Sequence, residues 1–233
     1  MTKIGLIAGI GPRSTAILVE HIIGALNRYG SCKMDADFPE LIVKTVSLDD
    51  GAEATNEGID KIGNELKWLA AQDVEIAMIG CNSAHRHAPV FRNLARPMRL
   101  INMIECAIDA IPQQARTVAI IGTSQLIRSE LYDNHLEISG RKRMNTDQWQ
   151  HQVDELISDI ALFKPMSLIV SKWQALIGQI ETSGVDLVLI ACTDLEVISS
   201  MGKLGTSIDI INVGEVSARE LALCWRNNMN GLI

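Results

Sequence analysis

The sequence has few aromatic residues, no long apolar run and no closely spaced cysteine pair. Aromatic residues make up 4 % of the 233 residues, so aliphatic side chains have to fill the core. No apolar run reaches the roughly 18 residues that a membrane span needs, and we expect no membrane partner. The five cysteines include no C-x-x-C pair. This favours free thiols, a reducing compartment and a cytoplasmic location.

Positive charge is also scarce. The formal net charge is −7, so the chain has no general attraction for nucleic acid and we expect no such partner. The only dense basic group is the RKR segment at 141–143, which we interpret as a solvated loop. The composition is that of an ordinary soluble globular protein, with neither nucleic acid nor a membrane favoured as a partner.

Short apolar runs alternate with longer amphipathic segments, which is typical of βαβ units on a parallel sheet. The pattern occurs twice, because TVAIIG at 117–122 resembles KIGLIA at 3–8. We therefore predict an α/β fold with two similar parallel-sheet halves of about 105 residues each, related by pseudo-two-fold symmetry, with a crossover near 102–114. The predicted strands are 3–8, 40–46, 75–79, 100–103, 117–122, 185–190 and 207–212.

Two of these strands end in a cysteine. The apolar run 76–79 leads through Gly80 to Cys81, and the run 187–191 leads to Cys192, 111 positions later. Ligands of open α/β sheets bind beyond the carboxyl ends of the strands. A pseudo-two-fold axis would bring the two strand ends to one cleft, so we predict an active site with a thiol on each wall.

Two thiols on opposite sides of a carbon acid can act as a pair of bases. One thiolate removes the α-proton and the opposite thiol returns a proton to the other face, which inverts the configuration without a redox step. Hydrogen-bond donors for the substrate follow each cysteine at the start of the next helix, in Asn82-Ser83 and in Thr193-Asp194. The turn Gly9-Ile10-Gly11 offers anion-binding backbone in the same way.

Two other kinds of site were weighed. A dinucleotide site at Gly9-Ile10-Gly11 is disfavoured, because Ser14 stands where the third glycine would be. A zinc site built from Cys81, His85, His87 and Cys192 is disfavoured, because on a helix His87 points away from the other two. We predict no metal, and His85 could instead orient the first cysteine motif.

The segments IGLIAGIGPRST, GCNSAH and ACTDLEVI resemble the motifs of the aspartate/glutamate racemase family, the cofactor-independent kind. The resemblance implies a two-domain α/β fold with an interdomain active-site cleft, no cofactor such as PLP, and a homodimer. By this resemblance the first domain comprises 1–102 plus 208–233 and the second comprises 103–207. The implied activity interconverts the L and D enantiomers of an amino acid, aspartate or glutamate.

The resemblance also implies roles for single residues. Cys81 and Cys192 would be the paired acid and base. The implied substrate-binding residues are Asn82, Ser83, Thr123, Thr193 and Asp194, with Gly9, Ile10 and Gly11 as part of the wall.

Some positions depart from the family pattern. Leu126 replaces a pocket threonine, and the loop SLDDGAEAT carries Asp49, Asp50 and Glu53 in place of a cation for a distal carboxylate. Lys164 is a candidate cation from the second half. Three alternatives therefore stay open: another two-cysteine enzyme such as a hydantoin racemase, maleate isomerase or malonate-derivative decarboxylase; a non-catalytic protein that binds an acidic metabolite; or a nucleotide-binding domain.

Overall fold

The chain divides into two α/β units. In the computed structural model, which describes residues 3–11, 13–49, 52–199, 201 and 205–229, one unit comprises Met1–Cys106 with Gly214–Ile233 and the other comprises Ala107–Val213. The boundaries expected from the sequence, at 102/103 and 207/208, lie a few residues before these. The second boundary differs because Asp209–Asn212 pairs with a strand of the second sheet.

The first unit contains a sheet of four parallel strands in the order β2-β1-β3-β4. Its elements are β1 (Lys3–Ala8), α1 (Ser14–Arg28), β2 (Leu41–Thr45), α2 (Asn56–Ala70), β3 (Val74–Ile79), α3 (Ala88–Leu94), β4 (Arg99–Ile101) and the first half of α4 (Met103–Ala110), which continues into the second unit after Cys106. Short 3-10 turns occur at Asp35–Asp37, Ala52–Ala54 and Ser83–His87.

The second unit also contains four parallel strands, in the order β6-β5-β7-β8. Its elements are β5 (Thr117–Ile121), α5 (Ser124–Arg128), α6 (Asp133–Ile138), β6 (Lys142–Arg143), α7 (Asp147–Ala161), α8 (Met166–Thr182), β7 (Leu187–Ile190), α9 (Glu196–Ser199) and β8 (Asp209–Asn212). Helix α10 (Val213–Met229) follows.

The two sheets have the same topology, which confirms the prediction of two similar parallel-sheet halves. In each sheet the first strand lies between the second and the third, and the fourth lies outside the third. The match extends to single hydrogen bonds. The amide of Gly80 donates to the carbonyl of Ile7 at 2.8 Å, and the amide of Ala191 donates to that of Ile121 at 2.8 Å.

Each unit has its own apolar core. Helix α2 begins at the cap of Thr55, whose hydroxyl accepts from the amide of Gly58 at 3.1 Å, and buries Ile62, Leu66 and Leu69 completely against the first sheet. In the second unit Trp173 of α8 is buried against α7 and the sheet. Each such side chain contributes about 1.5–3 kcal/mol by leaving water. Aliphatic residues thus fill the cores, as the scarcity of aromatic residues predicts.

The segment 124–136 follows the first strand of the second half, and its sequence predicts one helix there, but the structure contains a break. It forms α5 and α6, and between them Glu130 has a φ of +53°, which no α-helix contains. The prediction of a solvated loop at 141–143 is also wrong. Lys142–Arg143 pairs with β5, Arg143 binds Asp133 at 2.8 Å, and Arg141 donates to the carbonyl of Ile111 at 2.8 Å. Charged side chains are compatible with a short edge strand, because their charged ends can bind partners outside the sheet.

The predicted crossover near 102–114 contains α4. Its first turn is capped by Asn102, whose side-chain oxygen accepts from the amide of Ile104 at 3.0 Å. Among the described residues, no helix combines the length and the apolar character that a membrane span requires.

Candidate functional site

The first cysteine turn lies at the carboxyl end of β3. Gly80 continues the pairing with β1, and the chain then leaves the sheet at Cys81, which is partly exposed and packs against the core of the first unit. Asn82 is buried and Ser83 is partly exposed. The 3-10 turn Ser83–His87 follows at once, so both polar residues lie beside the thiol.

The side chain of His85 contacts the backbone of this turn. It is buried, and its Nδ1 lies 3.1 Å from the backbone oxygen of Cys81. Desolvation by burial lowers the pKa of His85 from 6.5 to about 4, more than its contacts with the carbonyls of Cys81 and Ile101 raise it. The ring is therefore neutral at pH 7, and the one nitrogen that carries a hydrogen can donate to one of these two carbonyls. His85 thus orients the backbone of Cys81.

This contact also argues against the zinc site weighed above. The nitrogen of His85 nearest to Cys81 is used by a carbonyl, and His87 packs edge-on against the ring of Phe91. In the part of the chain that the structure describes, no three His, Cys, Asp or Glu side chains come together as metal ligands.

The turn after β1 lies beside the first cysteine turn, because β1 and β3 are neighbours in the sheet. Gly9 and Gly11 have φ values of +84° and +87°, which side chains disfavour. The amide of Gly9 donates to Thr15 Oγ1 at 3.2 Å, and Ser14 Oγ donates to the carbonyl of Gly11 at 2.6 Å. Ile10 packs on the same core as Cys81.

The acidic loop after β2 reaches the same edge of the sheet. Its turn Ala52–Ala54 packs against the turn Ser83–His87. Asp49 is exposed, Glu53 is only 6 % exposed, and Asp50 lies outside the described residues. The interpretation of this loop as solvated is therefore wrong for Glu53, whose burial the alternating sequence pattern does not indicate.

The second cysteine turn follows β7 and Ala191. Cys192 is partly exposed and packs against the core of the second unit. Its carbonyl accepts from the amide of Leu195 at 3.0 Å, and that of Thr193 accepts from Glu196 at 3.2 Å, so the chain turns directly into α9. Thr193 is buried and Asp194 is partly exposed.

Glu196 is a residue that sequence reasoning missed. It is fully buried in the first turn of α9, four residues after Cys192. The signal available in the sequence was a lone glutamate inside the apolar segment LEVI. A carboxylate at this place is compatible with the partial positive charge at a helix start.

Thr123 begins α5 at the carboxyl end of β5. Its hydroxyl caps the helix by accepting from the amide of Leu126 at 3.2 Å. Two side chains of α7 form hydrogen bonds to this turn. Asp154 accepts from the amide of Ser124 at 3.0 Å and from its hydroxyl, and Gln150 donates to the carbonyl of Gly122 at 2.9 Å.

Asp154 is partly exposed, and its two bonds to Ser124 give it a structural role in this turn. Its spacing of four residues from Gln150 places both on one face of α7, which was the available signal. Leu126, which replaces a pocket threonine, is buried beside Gly122. Lys164, the candidate cation, pairs with the buried Asp159 at 2.6 Å. The ammonium group of Lys164 is thus already paired within the second unit.

The comparisons with known proteins agree with these two turns. The model of the family described as Asp/Glu/Hydantoin racemase matches residues 7–221, nearly the whole chain. The chain belongs to that family. The match confirms the resemblance drawn from the sequence motifs, and it makes the chain a racemase-family protein, hence of the isomerase class. It includes both cysteine turns and the opening glycine turn.

Individual proteins that are similar to this racemase-family chain are also named as racemases. It is 27 % identical over 206 residues to the broad specificity amino-acid racemase RacX of Bacillus subtilis, covering 84 % of this chain and 86 % of that one. The aspartate racemase of Picrophilus torridus superposes with a TM-score of 0.78 at 19 % identity, covering 99 % and 95 % of the two chains. The glutamate racemase of Francisella tularensis, in complex with D-glutamate, superposes with a TM-score of 0.65 at 13 % identity, covering 100 % and 83 %. The structural matches show a shared fold.

Proposed function

We propose that the protein is a cofactor-independent amino-acid racemase of the aspartate/glutamate type, in which Cys81 and Cys192 serve as the two bases. The observation that carries the proposal is the equivalence of the two cysteines. Each follows the third strand of its sheet, one residue after an amide that donates to a carbonyl near the end of the first strand, that of Ile7 or of Ile121. The family match supports the reaction class.

In this mechanism the two thiols approach the α-carbon from opposite sides. One cysteine, as the thiolate, takes the α-proton and becomes a thiol. The other, as a thiol, gives its proton to the opposite face and becomes a thiolate. The product has inverted configuration, and the protonation states of the two cysteines have exchanged, so the next turnover runs from the other side. No electron leaves or enters the substrate.

The carbanion formed in between places negative charge on the α-carboxylate. Donors that receive this charge stabilise the transition state more than the substrate. In the first unit these donors are the side chains of Asn82 and Ser83 and the backbone of the Gly9–Gly11 turn, with Ile10 as apolar wall. In the second unit they are Thr123 and Thr193, and Asp194 is suited to the α-ammonium group.

The proposal also includes the cellular location and the oligomeric state of the protein. All five cysteines are free thiols, which supports a reducing, cytoplasmic location. A homodimer is inferred from the family resemblance alone.

Exchange of the α-hydrogen with deuterated water tests the proposal directly. Incubation with D- and L-amino acids should incorporate deuterium at Cα only where the enzyme forms the carbanion. We expect exchange and racemisation with at least one amino acid, and loss of racemisation by at least about 10³-fold in Cys81→Ser and in Cys192→Ser. Racemisation by Cys81→Ser at the parent rate would refute the two-base mechanism. Exchange confined to a hydantoin, or conversion of maleate to fumarate, would assign the chain to another activity.

A further inference from the structure

A small pocket lies beside the first cysteine turn, among side chains of β3, α3 and β4. Ile79, Phe91 and Leu100 form apolar parts of its wall, and the ring of His85 lines it as well. All the lining residues belong to the first unit. The pocket contains about 220 Å³ of empty space, part of which is open to solvent. A ligand bound there would contact the side chain that holds the backbone of the turn.

His85 uses only one of its two ring nitrogens within the protein. Nδ1 lies 3.1 Å from the backbone oxygen of Cys81. Nε2 is buried on a residue that is 5 % exposed, and no hydrogen bond joins it to another described group, although the carbonyl of Ile101 lies near the ring. With the single hydrogen of the neutral ring on Nδ1, Nε2 is an acceptor. A buried acceptor is costly unless a donor meets it.

The polar side chains at the pocket are already bonded to their neighbours. Arg92 donates to the carboxylate of Glu105 at 2.9 Å, and the side-chain nitrogen of Asn102 donates to the same oxygen at 2.9 Å. The side-chain oxygen of Asn102 accepts from the amide of Ile104. Among the described lining residues only Arg92 is charged, and Glu105 balances it. The pocket therefore suits an uncharged ligand that brings its own donor.

We propose that this pocket binds a small uncharged molecule with one hydroxyl or N–H group on an apolar body, and that the bound molecule stabilises the first cysteine turn. The donor would bond to Nε2 of His85, and the apolar body would leave water against Phe91 and Leu100. Water is a poorer occupant, because these walls are hydrocarbon and a buried water needs about two to four polar partners.

The bond to Nε2 would also act on Cys81. Hydrogen bonds in a chain polarise one another, so a donor at Nε2 makes Nδ1–H a better donor to the carbonyl of Cys81. Asn82 and Ser83, the proposed substrate donors, follow in the same turn. The binding is independent of the proposed function, whereas the effect on substrate rests on it.

Phenol and toluene are matched probes of this contact, because they are similar in size and only phenol has a hydroxyl. We expect phenol to bind the wild type with a Kd on the order of 1 mM, and toluene to bind at least about tenfold more weakly. His85→Phe should reverse this order, because a site without an acceptor favours the more apolar ring. The same change at an exposed histidine, His151→Phe, should alter neither value.

NMR titration measures both affinities, and the ¹⁵N resonance of Nε2 in His85 should move with phenol alone. Ala88→Leu is a second variant, independent of the histidine. Ala88 lines the pocket at the partly exposed start of α3, so a larger side chain fits at the surface and occupies the site. It should abolish phenol binding. Saturating phenol should lower the KM of the wild-type racemase about fivefold and should not change the KM of Ala88→Leu.

Several results would overturn the assignment. Equal affinity of the wild type for phenol and toluene, or no binding of phenol at millimolar concentrations, would contradict it without any variant. Phenol binding that Ala88→Leu retains would place the site elsewhere, and a crystal soaked in phenol that shows only water in the pocket would refute the ligand class. Binding without a change in KM would refute the effect on the turn. In each case the racemase function stands, whereas a wild-type enzyme that exchanges no amino acid refutes that function and leaves the binding test unchanged.

Discussion

The two cysteine turns begin alike and continue differently. Both leave the sheet one residue after an equivalent backbone hydrogen bond. After Cys81 the chain forms a 3-10 turn over the buried, neutral His85, whereas after Cys192 it enters the α-helix that begins at the buried Glu196. The arrangement of strands is thus duplicated in the two sheets, whereas the polar residues that follow the two cysteines differ.

This difference has a chemical consequence. A racemase acts on two mirror-image substrates, and the two cysteines of this chain are followed by different polar residues. A buried, neutral imidazole follows one cysteine and a buried glutamate follows the other, so the two thiols have different polar neighbours. The difference between the two turns therefore predicts unequal roles for the two cysteines.

Replacing either cysteine should separate the two faces of the reaction. With Cys81→Ser, the thiolate of Cys192 still removes the α-proton of the enantiomer whose hydrogen points at it, and Cys192→Ser should do the reverse. We expect both variants to lose racemisation by about 10³-fold or more while each exchanges the α-hydrogen of only one enantiomer. Deuterium incorporation measured by mass spectrometry or NMR on each enantiomer checks this. If both variants exchange the same enantiomer, the two thiols do not serve opposite faces.

The stability of the first turn should depend on pH through His85. Its pKa is about 4 in the folded protein and about 6.5 in the unfolded chain, so between these values the unfolded state binds the extra proton. The free energy of unfolding should therefore fall as the pH drops from 6.5 to 4, by up to about 3 kcal/mol from this group alone. Urea unfolding at several pH values should show a smaller loss over that range in His85→Gln than in the wild type.

The matched control is His151→Gln, an exposed histidine of α7 in the second unit. It should keep the wild-type dependence on pH. Equal slopes in the wild type and in His85→Gln would show that His85 is not held neutral by burial.

The second unit depends on Asp154 for the turn that carries Thr123. Asp154→Asn weakens the two bonds from Ser124, one to its amide and one to its hydroxyl. We expect a loss of about 1–2 kcal/mol in the free energy of unfolding, with KM rising more than kcat falls, because the capped turn positions the donor. Chemical denaturation and steady-state kinetics measure the two effects. Asp109→Asn, at an exposed acid, is the control, and an equal loss there would remove the special role of Asp154.

The glycine turn has no counterpart in the second unit, where Thr123 takes the corresponding place with a φ of −59°. Gly9→Ala puts a side chain at a φ of +84°, 3.0 Å from the amide nitrogen of Val46. We expect a loss of about 1–3 kcal/mol in stability. Gly24→Ala, in α1 with no atom within 4 Å, should instead gain about 0.5–1 kcal/mol. Opposite shifts in the midpoint of urea unfolding check the pair, and equal shifts would contradict it.

Much of the fold could be predicted from the sequence, because its signals are local. Strand β1 was predicted at its observed bounds, and the apolar runs before Cys81 and Cys192 are strands at the expected places. The break between α5 and α6 was missed, because it depends on the left-handed Glu130, a residue type with no strong preference for that conformation. Strand β6 was missed because two charged residues carry no periodic pattern.

The candidate site divides in the same way. The identity of the thiols and their place after β3 and β7 follow from sequence order, since an apolar strand must end where the chain turns polar. The partners of Asp154 and Lys164, and the burial of Glu53 and Glu196, depend on residues distant in sequence. A charged residue looks the same in sequence whether it is solvated or enclosed.

The sequence by itself thus determined the family, the repeated parallel-sheet frame and the two cysteines. Tertiary structure alone decided that Glu53 is enclosed beside the first cysteine turn, that Lys164 is already paired, and that His85 is neutral. The physical reason is the distance along the sequence over which each property is determined. Strand and helix patterns arise from neighbouring residues, whereas the charge state and availability of a side chain are set by what the fold packs around it.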